Sequence, residues 1–118
     1  MLRYTNCGHL RPILVRAGKV NTLDGEGMVV GLLPHVSYEQ REFELQKDDV
    51  LALFSDGIPE AEDAAAQEFG EARLGELLAQ HAQEPLEKII QTVTKSVGEW
   101  IHDPDGQDDT TLVLLRKL

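Results

Sequence analysis

Two short acidic motifs, each at the end of an apolar run, constrain the fold of this chain more than any other feature. Ser55-Asp56-Gly57 directly follows Val50-Leu51-Ala52-Leu53-Phe54, and Gly106-Gln107-Asp108-Asp109-Thr110-Thr111 directly precedes Leu112-Val113-Leu114-Leu115. Short continuous apolar runs of this kind read as strands covered on both faces. One acid leaves such a run and the other enters one. If the two runs pair antiparallel, both carboxylates fall on the same edge of one sheet. Neighbouring strands lie about 4.8 Å apart, so Asp56 and Asp108 would be close enough to share a metal ion.

The first half of the chain reads as strands and turns. Leu2-Arg3-Tyr4-Thr5 is strand-like, and Asn6-Cys7-Gly8-His9 is a turn. Ile13-Leu14-Val15-Arg16 and Lys19-Val20-Asn21-Thr22-Leu23 flank Ala17-Gly18 and predict a hairpin. Asp24-Gly25-Glu26-Gly27 predicts a loop. Val36 to Leu45 alternates in part (Val36, Tyr38, Phe43, Leu45) and predicts a further strand, with Lys47-Asp48-Asp49 a turn after it.

The second half is helical. Residues 59–68 are rich in Ala and Glu and predict a helical turn or a loop. Gly70-Glu71 precedes Leu74, Leu77, Leu78 and His81, whose spacing predicts an amphipathic helix. Pro85 suits the first turn of a second helix with the apolar stripe Leu86, Ile89, Ile90, Val93, Val97, Trp100 and Ile101. Residues 102–109 predict an acidic loop with a Pro-Asp-Gly turn, and Leu112 to Leu115 a final buried strand. Strands, two helices and a strand give an α+β arrangement, with helices on one face of a mainly antiparallel sheet. The other face of the buried runs then needs a cover. Either a second layer is missing from the chain or another copy supplies it.

Composition narrows the class. A length of 118 residues suits one domain, and a hydrophobic fraction of 42% suffices for a core. No apolar run approaches the roughly 20 residues of a membrane helix, and the N-terminus lacks the pattern of a signal peptide. The single cysteine, Cys7, cannot form an internal disulfide and reads as a small half-buried residue, so a cytoplasmic protein is expected. Net charge is 11 − 21 = −10. Residues 1–47 carry six basic and five acidic side chains, whereas residues 48–118 carry five and sixteen. Such acidity argues against a nucleic-acid partner, since phosphate contacts need Lys and Arg. It leaves room for a cation site.

Each acidic motif has an ordinary reading when taken alone. Asp-Gly is a common turn pair, and an Asp before a strand can bond its own backbone. Together, on runs that can pair, they point to chemistry. Mg²⁺ and Mn²⁺ prefer carboxylate and water oxygens, and acids without His or Cys ligands suit them better than Zn²⁺. Two such ions a few Å apart can activate a bridging water and hold a phosphoryl group. Asp103-Pro104-Asp105-Gly106-Gln107-Asp108-Asp109 is a rival, calcium-like loop. Its glycine comes too early for an EF-hand, and Leu114 stands where the closing Glu belongs. His9 follows a glycine turn and reads as structural, while His35, His81 and His102 carry no motif. Gly27, Gly31 and Pro34 lie in a loop without a phosphate-loop pattern.

The motifs also resemble a known family. Tyr4-Thr5-Asn6-Cys7-Gly8-His9-Leu10-Arg11-Pro12, Gly31-Leu32, Asp48-Asp49-Val50-Leu51-Ala52-Leu53-Phe54-Ser55-Asp56-Gly57-Ile58-Pro59-Glu60-Ala61, Phe69-Gly70-Glu71-Ala72-Arg73-Leu74 and Asp108-Asp109-Thr110-Thr111-Leu112-Val113 occur in the family's order. They resemble the C-terminal part of SpoIIE/RsbU-type serine phosphatases, a bacterial branch of the metal-dependent protein phosphatase 2C (PPM) family. Cys7 stands where alanine is usual. The resemblance implies that residues 1–118 are the C-terminal part of an antiparallel β-sandwich with flanking helices, incomplete at its N-terminal side. It implies that Asp56 and Asp108 are metal ligands, with Gly57 and Asp109 supporting them, and that the complete domain holds two Mn²⁺ or Mg²⁺ ions. The implied catalyst is metal-bound water rather than a side chain. The implied substrate is a phosphoprotein, typically an anti-sigma-factor antagonist in partner-switching signalling, with no nucleic acid or membrane involved. The family's upstream Asp-bearing glycine-rich turn has no counterpart here, so little or no catalysis by this chain alone is expected. The other reading is a non-catalytic regulatory or dimerisation module, using the same half-fold as a homodimer.

Overall fold

The computed structural model describes residues 1–25 and 27–118; Glu26, within the loop expected at 24–27, lies outside the described residues. Four antiparallel strands form the main sheet: β2 (Ile13–Arg16), β3 (Lys19–Thr22), β5 (Val50–Phe54) and β6 (Leu112–Arg116), in the order β3-β2-β5-β6. A separate antiparallel ribbon pairs β1 (Leu2–Tyr4) with β4 (Arg41–Phe43). Two helices follow β5: α1 (Glu71–His81) and α2 (Leu86–Trp100). A short 3₁₀ turn, Pro104–Gly106, leads back to β6.

The hairpin forms where expected. Arg16 pairs with Lys19, so Ala17 and Gly18 make a two-residue turn with φ of 50° and 74°. Positive φ at both central residues matches the twist of the flanking strands.

Alternation along the strands sorts the core into two layers. Ile13, Val15, Val50, Ala52, Phe54 and Leu114 pack on one face against Leu74 and Leu78 of α1 and Ile89, Val93 and Val97 of α2. On the other face, Leu14 and Leu51 join Leu23 and pack with Leu2, Tyr4, Phe43, Leu45 and Leu53. The ribbon is therefore the start of a second layer, and the strands β2 and β5 are covered on both sides as their apolar runs require.

Three expectations need correction. The strand expected over 36–45 shrinks to Arg41–Phe43. It pairs only with the three residues of β1, and His35 adopts a left-handed φ of 61° that an extended strand cannot continue through. The last strand is not fully buried: Leu114 is covered, but Val113 and Leu115 are each 48% exposed. It is an edge strand, and the ribbon packs on Leu14, Leu51 and Leu53 while leaving Val113 and Leu115 open. Ile90 does not belong to the buried stripe of α2, which narrows to Ile89, Val93 and Val97. Of the two forms expected for residues 59–68, a helical turn or a loop, the loop is present. There the Asp63 carboxylate accepts from the backbone N–H groups of Ala65 and Gln67, and Phe69 N–H donates to the Ala61 carbonyl at 2.7 Å. Arg73 lies 4.0 Å over the Trp100 ring, and Trp100 Nε1 donates to the Gln67 carbonyl, so the loop is tied to both helices.

One charged residue joins the layers. The Asp49 side chain is 1% exposed and accepts from Arg16 Nε at 2.9 Å, from Arg16 Nη2 and from Gln46 N–H at 2.8 Å. Arg16 Nη2 also donates to the Glu44 carbonyl, and its guanidinium sits 5.1 Å from the Phe43 ring centre. The Arg16 hydrogen bonds hold the Asp49 carboxyl below the usual Asp range, against the opposing effect of burial.

Candidate metal site

β5 and β6 are adjacent and antiparallel, with Phe54 opposite Leu112, so their acidic ends lie at the same end of the sheet. Beyond the last pair the strands stay joined. Ser55 N–H donates to the Thr111 carbonyl at 3.0 Å, Thr111 N–H donates to Ser55 Oγ at 2.8 Å, and Ser55 Oγ donates to the Asp109 carbonyl at 3.2 Å. One hydroxyl thus bridges the two motifs.

Gly57 lets the motifs meet. A Cβ at this position would lie 2.3 Å from the Asp109 carbonyl oxygen and 3.0 Å from that of Asp108. No side chain fits there, so the backbone of the second motif closes directly onto the first. Gln107 Nε2 donates to the Gly57 carbonyl at 2.6 Å and fastens the contact from the other side.

Asp56 and Asp108 are both exposed, whereas Gly57 is buried. Asp108 Oδ1 accepts from Asp109 N–H at 2.8 Å, which orients its carboxylate. Asp109 enters the arrangement through its backbone: its N–H holds Asp108 and its carbonyl holds Ser55. A cleft of about 380 Å³ opens beside the junction, walled by Gly57, Glu60, Asp63, His102, Asp103 and Asp108. Asp108 and Gly57 face this cleft; Asp56 is not among its walls.

Among the described residues no three His, Cys, Asp or Glu side chains converge into a metal cage. Two exposed carboxylates in the turns beside the ends of β5 and β6 still fit one kind of cation. Mg²⁺ is typically held by one or two carboxylates and keeps several waters, and Mn²⁺ shares its preference for oxygen. The donor set, all oxygen, fits these ions as part of a coordination sphere. The calcium-like alternative is less favoured, because Asp103 accepts from Asp105 N–H and caps the 3₁₀ turn. His9 is held within its own turn: its N–H donates to Asn6 Oδ1 at 2.8 Å and its ring bonds the Leu10 carbonyl. Cys7 is a free, half-buried thiol.

Sequence reasoning assigned no role to Ser55 or Gln107. Each flanks an acid at the mouth of an apolar strand. A polar residue in that position is the signal that could have marked them as cross-links.

The strand order, the two-layer core and the flanking helices define a protein phosphatase 2C-like fold. The fold matches the SiaA-PP2C domain of Pseudomonas aeruginosa with a TM-score of 0.79 at 22% identity, over 93% of this chain and 44% of that one. It also matches the structure of the PP2C phosphatase domain and a regulatory-domain fragment of SpoIIE from Bacillus subtilis, with a TM-score of 0.74 at 19% identity, over 98% of this chain and 33% of that one. Residues 1–118 match the family model of stage II sporulation protein E (SpoIIE), and the chain belongs to that family. Phosphoserine phosphatase RsbU of Bacillus subtilis (strain 168) is 32% identical over 117 residues, which are 97% of this chain and 34% of RsbU. The chain therefore spans about a third of that relative's length.

Proposed function

We propose that this chain is the C-terminal part of a metal-dependent phosphatase domain that hydrolyses phosphoserine or phosphothreonine on a protein. The observation that supports this reading is the interlocked pair of turns that joins the two acidic motifs through Gly57, in a chain 32% identical to a phosphoserine phosphatase. Asp56 and Asp108 are read as ligands of Mn²⁺ or Mg²⁺, with two ions in the complete domain. Such ions, when bound, lower the pKa of water and stabilise charge on a phosphoryl group.

The chain's own residues hold the arrangement. Gly57 lets the two backbones touch, Ser55 and Gln107 lock them, and the Asp109 N–H fixes the Asp108 carboxylate. Both acids lie in turns that adjoin the packed strands β5 and β6. The substrate is read as a phosphoprotein, an anti-sigma-factor antagonist in a partner-switching system, and the setting as the cytoplasm. No helix among the described residues is long and apolar enough to cross a membrane.

Phosphate release from a phosphoserine protein and from an aryl phosphate, with Mn²⁺ present, tests this reading. The chain alone is expected to release little or none, because its two carboxylates leave most of the coordination sphere to water. Turnover abolished by Asp56→Ala would overturn the inactivity and support the site. Turnover that survives Asp56→Ala would contradict the site. One observation favours a second reading, a dimerisation module: Val113 and Leu115 are exposed on an edge strand, and such surfaces mark interfaces. A monomer at all concentrations in size-exclusion chromatography would remove it.

A further inference from the structure

The two ends of the main sheet differ in their charged residues. Its acidic end carries Asp56, Asp108 and Asp109, with Glu60 and Asp103 on the adjoining loops. The opposite end carries Arg16 and Lys19 at the hairpin turn, Lys47 before β5, and Arg116 and Lys117 at the end of β6. Five of the eleven Lys and Arg residues of a chain with net charge −10 are thus gathered at one end, beside Asp48 and the Asp49 that pairs with Arg16.

That end is concave. A cavity of about 590 Å³ lies between the hairpin turn, the loop before β5, the end of α1 and β6. Arg16, Lys47 and Arg116 line it, together with the amides Gln46 and Gln83 and one acid, Asp48. The two arginines are fixed by protein partners that leave donors over. Arg16 binds Asp49 and the Glu44 carbonyl through Nε and Nη2, which leaves Nη1. Arg116 Nη2 donates to the carbonyls of Ala82 and Glu84, which leaves Nε and Nη1. The bond to Ala82, the C-cap residue of α1, offsets the negative C-terminal end of that helix, which would otherwise repel an anion. Lys47 is exposed and adds a compact cation.

We propose that this cavity is an oxyanion site for a phosphate group. Guanidinium groups that are anchored on one side and free on the other present their donors with little loss of side-chain entropy, and charge-assisted bonds from Arg to phosphate are among the strong ones. The site lies at the far end of the sheet from Asp56 and Asp108, so it is separate from the candidate metal site and does not rest on it. The phosphate could be free or carried by a phosphorylated partner protein.

The test is a titration of the metal-free protein with inorganic phosphate, and separately with a phosphoserine peptide, followed by backbone amide NMR at constant ionic strength. Saturable shifts are expected at Ala17, Gly18, Lys47 and Gln83, with none at Asp56 or Asp108. Lys47→Glu is expected to weaken binding about fivefold or more through charge reversal, and Lys47→Arg to preserve it. An unchanged melting temperature in Lys47→Glu shows that the loss is not unfolding. Tighter binding of the peptide identifies a protein-borne phosphate as the ligand, and equal binding identifies free phosphate. Shifts that never saturate, that centre on the acidic motifs, or that persist unchanged in Lys47→Glu would overturn the proposal.

Discussion

Gly57→Ala is expected to destabilise the chain by about 3 kcal/mol and to abolish divalent-cation binding, because overpacking against rigid neighbours costs this much. The added methyl would lie 2.3 Å from the Asp109 carbonyl oxygen. That neighbour is backbone, not the end of a flexible side chain, so it cannot turn aside. Relief requires the two acidic turns to separate. Separation breaks the Gln107 bond to the Gly57 carbonyl and the Ser55 bond to the Asp109 carbonyl. The carboxylates of Asp56 and Asp108 then lose their common frame. Urea denaturation and Mn²⁺ titration measure the two effects. Wild-type stability in Gly57→Ala would show that the turns are not in contact.

Asp49→Ala is expected to cost about 2 kcal/mol of unfolding free energy, since it strands the partners of a buried carboxylate. The cost is below that of a fully buried ion pair, because the Arg16 side chain is 30% exposed. The same carboxylate gives the fold a pH dependence of known sign. Its pKa is lowered in the folded state, chiefly by the Arg16 hydrogen bonds. Its contribution is therefore complete above the unfolded Asp range and is lost as the pH falls through the lowered folded value. Glu84 shifts the same way through its hydrogen bond to His81 and adds to the acid sensitivity. Thermal melts between neutral pH and about pH 3 should show this fall for wild type and a flatter profile for Asp49→Ala. Parallel profiles would assign the acid response to other groups.

These two residues show where the sequence was legible. The hairpin, both helices and the pairing of the two apolar runs follow from local patterns: a two-residue turn, a 3.6-residue period and strands bounded by turn residues. Asp56, Gly57, Asp108 and Asp109 stood out because each lies at a strand end. The exposure of Val113 and Leu115 did not, because burial of an edge strand depends on how far a second layer reaches. The shortness of β4 was hidden for a related reason, since its length is set by its partner β1. Asp49 looked like one of two acids in a turn. Its burial arises from Arg16, thirty-three positions away, and no local pattern encodes that pair. Gln107 and Ser55 are likewise contacts across long separations, of 50 and 54 residues.

We propose that Asp56 and Asp108 hold one cation between them. Mn²⁺ binding followed by electron paramagnetic resonance, for wild type, Asp56→Asn, Asp108→Asn and the double variant, tests it most directly. A shared ion predicts saturable binding by wild type, a loss of about tenfold or more in each single variant, and little further loss in the double variant. Wild-type affinity in either single variant, or no saturable binding by the wild-type chain, would contradict it.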